Sequence, residues 1–201
     1  THSLKIKKNI LRLKKTFGKL NVVSNGILIN DDIIDAFIKS KMMLLSVSLD
    51  GYGRNHDINR AKDGIWDKIM NNFENMNSCK KRPMIDIKTI VLENNLDDLV
   101  KLYKMCDEKN FNFLSISFLR NNSLKQNSVL FDSFVPEFNA NYPIEKYFDM
   151  EHFKEVYKEL MCLSRKSKVK IRFSPKFEYS ENPLDKIEEF FNTPADKPVS
   201  E

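Results

Sequence analysis

Apolar positions along the chain recur at two alternating spacings. Leu4, Ile6, Ile10, Leu11, Leu13 and Phe17 give a helix one apolar face, with Lys5, Lys7, Lys8, Arg12, Lys14, Lys15 and Lys19 as its solvated side. Leu20-Asn21-Val22-Val23 then forms a short β-branched run halted by Ser24-Asn25-Gly26, as a buried strand would be. Asp31-Asp32 open a helix through Ile33, Ile34, Ala36, Phe37 and Ile38, with carboxylates where the helix dipole favours them. A strand over 44–49 stops at Asp50-Gly51. A polar loop from Tyr52 to Gly64 leads to a helix with Ile65, Trp66, Ile69, Met70 and Phe73 on one side. The rhythm continues with a strand over 85–91, a helix capped by Asn95, and a strand over 113–119. A loop over 120–148, about thirty residues long, interrupts it; loops of that length in compact domains are usually functional or mobile. A helix over 151–164, a strand over 169–173 and a short helix over 184–191 complete the pattern.

Strands separated by helices and joined by short connections argue for parallel β/α units. An open doubly wound sheet and a (βα) barrel both fit. Polar residues enter the strands at period 2, at Ser46, Ser48, Asp86, Lys88, Ser115 and Ser117, which suits the inward face of a barrel holding a polar ligand. In either architecture the ligand end is the carboxyl end of the strands. Residues 1–192 are expected to form the barrel-type domain, with 193–201 as a polar tail.

With 201 residues, 41% of them hydrophobic, the chain is long enough for one large domain or part of a barrel. No apolar run approaches the roughly 18 residues of a membrane span, and no signal peptide opens the chain, so the cytoplasm is the expected compartment. Cys79, Cys106 and Cys162 are too widely separated for a metal cluster or disulfide framework, and read as buried free thiols. His2, His56 and His152 form no metal-binding set. The net charge of +5 raises nucleic acid as a partner. A second basic patch lies at Arg165, Lys166, Lys168, Lys170 and Arg172, but no aromatic-interleaved basic motif accompanies it, and nucleic acid ranks last.

Two strand ends carry the candidate chemistry. Ser24-Asn25-Gly26 and Ser48-Leu49-Asp50-Gly51 are each ordinary turn sequences when taken singly. In adjacent units they place hydroxyls, an amide and a carboxylate on one rim, a cradle for the ribose and amino-acid groups of a small ligand. His56-Asp57 reads more readily as a surface turn than as a catalytic dyad. Arg60 can pair with a surface carboxylate or grip a ligand carboxylate. There is no GxGxxG and no Walker lysine loop, which argues against a nucleotide held by its pyrophosphate.

Strand-Ser24-Asn25-Gly26, then Ser48-Leu49-Asp50-Gly51, His56-Asp57, Arg60 and Gly64-Ile65-Trp66-Asp67-Lys68-Ile69, in that order, resemble the middle of a radical S-adenosylmethionine (radical SAM) barrel. Family members show Thr-Asn-Gly, then Ser-x-Asp-Gly followed by His-Asp and Arg, then Gly-aromatic. The subgroup most similar carries a C-terminal SPASM-type iron–sulfur extension and includes sulfatase- and peptide-maturing enzymes. The resemblance implies a partial parallel (βα) TIM-like barrel lacking its first strands. It assigns Ser24, Asn25, Ser48, Asp50 and Arg60 to S-adenosylmethionine, and Lys88, Ser117 and Arg120 to the substrate side.

The family's Cys-x3-Cys-x2-Cys triplet, which holds a 4Fe–4S cluster, and its Gly-Gly-Glu-Pro-like motif are absent. The resemblance therefore implies part of a longer enzyme, beginning just past both motifs and ending where a cysteine-rich extension would start. In such an enzyme, reductive cleavage of S-adenosylmethionine by the cluster gives a 5′-deoxyadenosyl radical that abstracts hydrogen from substrate. The implied partners are a peptide or protein substrate and an electron donor, with no membrane. The alternative is a non-catalytic binding or scaffold module that kept the barrel and lost the cluster.

Overall fold

A computed structural model describes residues 2–16, 19–118, 149–174, 176 and 181–192. Helix α1 (His2–Thr16) leads into strand β1 (Asn21–Ser24), helix α2 (Asp31–Lys39) and strand β2 (Leu44–Ser48). Helices α3 (Arg54–Asn59) and α4 (Ile65–Asn77) precede strand β3 (Met84–Ile90). A 3-10 turn (Glu93–Asn95), helix α5 (Leu96–Glu108) and strand β4 (Phe113–Ser117) follow, then α6 (Met150–Ser164), β5 (Lys170–Ser174) and α7 (Pro183–Asn192). The loop over 120–148 and the tail over 193–201 lie outside the described residues.

All five strands are parallel and stand in sequence order, β1-β2-β3-β4-β5. Parallel crossovers are right-handed, so an order that never reverses keeps every crossover helix on the same side. A doubly wound sheet reverses its order and covers both faces. The sequence order therefore decides for the barrel-type wall over the open sheet.

Alternation along each strand does the rest. Leu45, Val47, Ile85, Ile87, Leu114, Ile116 and Phe173 face the helices and join Ile33, Phe37, Ile69, Phe73, Leu99, Leu102, Phe153 and Leu160 in one buried core. The register sets Ser46 beside Asp86 and Ser48 beside Lys88. Lys88 then pairs with Ser115, and Ile90 with Ser117, on the face away from the helices. The period-2 polar positions thus share one face, as a barrel interior requires.

Local chemistry explains the element ends, with some differences from the sequence reading. Asp31-Asp32 occupy the first turn of α2 as expected, and Asn30 before them caps it by accepting from the Ile33 N–H at 3.1 Å. Asp149 caps α6 through the Glu151 and His152 N–H groups. The expected polar loop over 52–64 contains α3, which at six residues is too short to show a periodicity. The thiols are free, but only Cys106 is buried; Cys79 is half-buried and Cys162 exposed. Phe153, Val156 and Leu160 define the buried stripe of α6, and Cys162 falls off it.

Gly26 has φ +78°, and a Cβ there would lie 3.0 Å from Val47 Cγ1 and 3.2 Å from Ile69 Cγ1. Gly26→Ala is expected to destabilise the domain by about 2 kcal/mol, from left-handed backbone strain of roughly 1–2 kcal/mol and the crowding beneath it. Urea denaturation measures this; an unchanged midpoint would show that the turn tolerates a side chain.

Candidate functional site

The carboxyl ends of β2 and β3 are joined by a polar network built around Asp50. Its carboxylate is mostly buried and receives Arg60 Nη2 at 2.6 Å on one oxygen. The other oxygen accepts from the Ile90 N–H at 3.3 Å. The Asp50 N–H donates to His56 Nδ1 at 3.1 Å, and its carbonyl accepts from the amides of Asn59 (2.5 Å) and Asn95 (3.2 Å). One residue thus fastens the end of β2 to β3, α3 and the turn before α5.

Gly51 permits the sharp departure, since a Cβ there would lie 3.0 Å from both Asn55 C and His56 N. Asn55 donates to the Asn94 carbonyl and to the buried carboxylate of Asp98, at 2.5 and 2.7 Å. Asp98 also accepts from the Tyr52 N–H and pairs with Lys101. Asn95 stands at the N-cap position of α5 as expected, but its side chain makes no cap hydrogen bond to that helix. It accepts from the Leu92 N–H and donates to the carbonyls of Ile90 and Asp50, knitting two strand ends.

His56 and Asp57 form neither a surface turn nor a dyad; both are buried. Asp57 accepts from the N–H groups of Gly64 (2.6 Å) and Trp66 (2.8 Å), anchoring the start of α4. His56 stacks edge-on against Trp66, with ring centroids 6.2 Å apart, and its Nε2 has no hydrogen-bond partner among the described residues. Since Nδ1 accepts, the proton sits on Nε2. Burial first, and then the Arg60 charge, hold the imidazole below its ordinary value against the opposing pull of Asp50 and Asp57.

The predicted site residues separate into two groups. Asp50 and Arg60 are brought together, but with each other. The Ser24 hydroxyl accepts from the Gly26 N–H at 3.0 Å and the Asn25 side-chain oxygen from the Ile27 N–H at 3.2 Å, so both brace the turn. Ser24 is in register with Val47, on the helix side, and with Asn25 borders an apolar hollow of about 320 Å³ between α1, α2 and β1. Ser48, Lys88 and Ser117 lie on the open face. Their side chains make no hydrogen bond to another described residue, and neither does the amide nitrogen of Asn25. Arg120 lies outside the described residues.

Sequence reasoning missed Asn55, Asn59 and Asp98, and took Asn95 for a cap. The available signal was a carboxylate, Asp98, on the apolar stripe of α5 beside Leu99 and Leu102. It also missed that Asp86 is buried between the hydroxyls of Ser46 (2.9 Å) and Ser115 (2.7 Å).

No family model matches the sequence, and no curated protein matches it. Solved structures do match. SuiB of Streptococcus suis aligns with a TM-score of 0.59 and 14% identity over 83% of this chain and 35% of its own. SuiB bound to S-adenosylmethionine and SuiB bound to precursor peptide SuiA each give 0.58 and 13% over 90% of this chain and 40% of theirs. Native anSMEcpe with bound AdoMet gives 0.53 and 19% over 76% of this chain and 39% of its own. The fold is radical SAM-like. This chain spans about two fifths or less of the length of those radical SAM structures.

The side chains present, rather than the fold, decide which chemistry this region can support. Among the described residues no group of three or more His, Cys, Asp or Glu side chains is placed to hold a metal. Cys79, Cys106 and Cys162 stand on three different helices or helix ends, and burial pushes the Cys106 thiol up. These residues do not fit an iron–sulfur cluster. At the strand ends the Ser48 hydroxyl and the Asn25 amide keep donors that no other described residue uses, and Asp50 is held by Arg60 and the Ile90 N–H. No helix among the described residues is long and apolar enough to cross a membrane.

Two outcomes follow from this geometry. An unfolded His56 takes up a proton below about pH 6.5 whereas the folded one resists it, so stability falls as pH drops from 7 to 5.5. In His56→Gln that slope is expected to flatten, as read by urea melts across the window; an equal slope would place the titration elsewhere. Asn95→Ala is expected to cost about 2–3 kcal/mol, because it strands the Leu92 N–H and the Ile90 carbonyl at a buried strand end. Thermal denaturation reads this; a loss below 0.5 kcal/mol, as for an ordinary surface change, would show that water replaces the amide.

Proposed function

We propose that this domain binds S-adenosylmethionine as the middle-to-C-terminal part of a radical SAM enzyme barrel. The observation that carries the reading is the open rim at the ends of β1 and β2, in a fold shared with structures that hold that cofactor. Ser48 and Asn25 supply free donors for its ribose and amino-acid groups. Ser24 shapes the turn that presents Asn25. Asp50 contributes the rigid floor and the outer lone pairs of its carboxylate, and Arg60 holds that carboxylate in place.

In a complete enzyme of this kind, S-adenosylmethionine supplies a 5′-deoxyadenosyl radical for hydrogen abstraction. The residues of this chain would orient the cofactor and shield it from water; they do not hold the cluster. A peptide or protein substrate fits the reading because one solved neighbour is bound to a precursor peptide. An electron donor and the cytoplasm belong to the same reading. The missing thiolate triplet favours, as a second reading, a binding module that holds the cofactor or a peptide without cleaving it.

Isothermal titration of the 201-residue chain with S-adenosylmethionine tests the proposal. Saturable binding is expected, weakened about fivefold in Ser48→Ala, the equivalent of one neutral hydrogen bond. No binding at millimolar cofactor, or binding indifferent to Ser48, would overturn the assignment of this rim.

A further inference from the structure

The open face of the sheet carries more positive charge than its own residues neutralise. The register sets Ser48 beside Lys88, Lys88 beside Ser115, and Ser115 beside Arg172. Four consecutive strands thus present hydroxyl, ammonium, hydroxyl and guanidinium in one row. Neighbouring strands lie about 4.8 Å apart, so the Lys88 and Arg172 backbones are roughly 10 Å apart, a span that two long side chains can close on one small group. Neither cation has a carboxylate partner among the described residues.

The surroundings narrow the choice of ligand. The Arg172 guanidinium lies 3.3 Å from the centre of the Phe113 ring. That stacking steadies the planar group and leaves its N–H edge available. The Ser115 hydroxyl is committed to Asp86, which lies one row toward the amino ends of the strands and is almost fully buried. The row of Asp86 ends in Lys170 on the same face, so Lys88, Arg172 and Lys170 outweigh one carboxylate and the two rows would draw an anionic group. The row of Lys88 and Arg172 has none of the glycine-rich backbone or helix N-terminus that phosphate sites use.

We infer that Lys88 and Arg172 form a subsite for a carboxylate of the substrate, beside the cofactor rim that begins at Ser48. The inference rests on the S-adenosylmethionine reading above for the word substrate, but the binding chemistry stands on the row itself. A peptide carrying a glutamate or aspartate side chain, or a free C-terminus, would present the required group.

The experiment is an NMR titration of the 201-residue chain, labelled at lysine and arginine side chains, with three short peptides. One is capped at both ends and contains a single glutamate. The second is its capped glutamine counterpart, and the third is the glutamine peptide with a free C-terminus. Saturable shifts at Lys88 and Arg172 are expected with the first or third and not the second, and which of the two binds identifies the source of the carboxylate. Lys88→Met should weaken that binding about tenfold and Lys88→Arg should restore most of it, as loss and replacement of a charge-assisted hydrogen bond would. Arg172→Gln provides an independent variant if Lys88→Met does not fold. Equal shifts with the capped glutamine peptide, tighter binding of inorganic phosphate, or no saturable shift at either cation would overturn the subsite. S-adenosylmethionine titrated into the same samples separates the two ideas. Cofactor binding without peptide binding defeats only the subsite, and peptide binding without cofactor binding defeats only the assignment of the rim.

Discussion

The hydrogen bonds that converge on Asp50 are the constraint on which the rest of the site depends. A buried carboxylate at the end of a strand is costly unless each lone pair finds a donor. Here Arg60 and the Ile90 N–H fill that need, and the backbone of the same residue takes His56, Asn59 and Asn95. Because these partners come from α3, β3 and the turn before α5, satisfying one residue fixes the mutual position of three segments. The short helix α3 then owes its existence to tertiary bonds rather than to its own propensity, since six residues cannot sustain a helix in water.

The sheet imposes a second constraint through its register. Its helix-side residues are mostly apolar, and most of its open-side residues are polar or charged. A one-residue slip of β3 would exchange Ile85 and Ile87 for Asp86 and Lys88 against Phe73 and Leu99, burying ions without partners at a cost of several kcal/mol. The same alternation that excludes this slip also delivers polar groups to the open side. Stability and the provision of a binding face are therefore one property of the strand sequences. Val23, two-thirds exposed on that side, marks where the polar row gives way to an apolar border next to β1.

The strands, the helices and the common polar face were legible because each rests on a period within one segment. Ser46, Ser48, Asp86, Lys88, Ser115 and Ser117 announce themselves by alternation alone. The choice between open sheet and barrel was not legible, because it depends on strand order, which no single segment contains. The Asp50 network was hidden for a related reason. Asn55, Asn59, Asn95 and Asp98 are ordinary helix-end or loop residues until the chain brings positions 50 and 95 into contact. Cys162 was misjudged because burial depends on which side of α6 a residue falls, and its apolar neighbours Met161 and Leu163 obscured that stripe.

The motif residues also divide by what their atoms have left to offer. His56, Asp57, Arg60 and the Gly64–Trp66 turn carry much of the resemblance, yet the hydrogen bonds and ion pair they form go to Asp50 and to the start of α4. Chains of 13–19% identity share this fold, so the geometry tolerates wide change in side chains provided that such braces, or equivalents, close the strand ends. A recognisable motif therefore reports first on how the rim is held. What the rim can bind must be read from donors and charges that the fold leaves unspent, and on this chain those are Asn25, Ser48, Lys88 and Arg172. Asn25 and Ser48 stand in the strand-end motifs, and Lys88 and Arg172 lie outside them on the open face, so the order of the motifs points to a cofactor while the register of the strands points to what stands beside it.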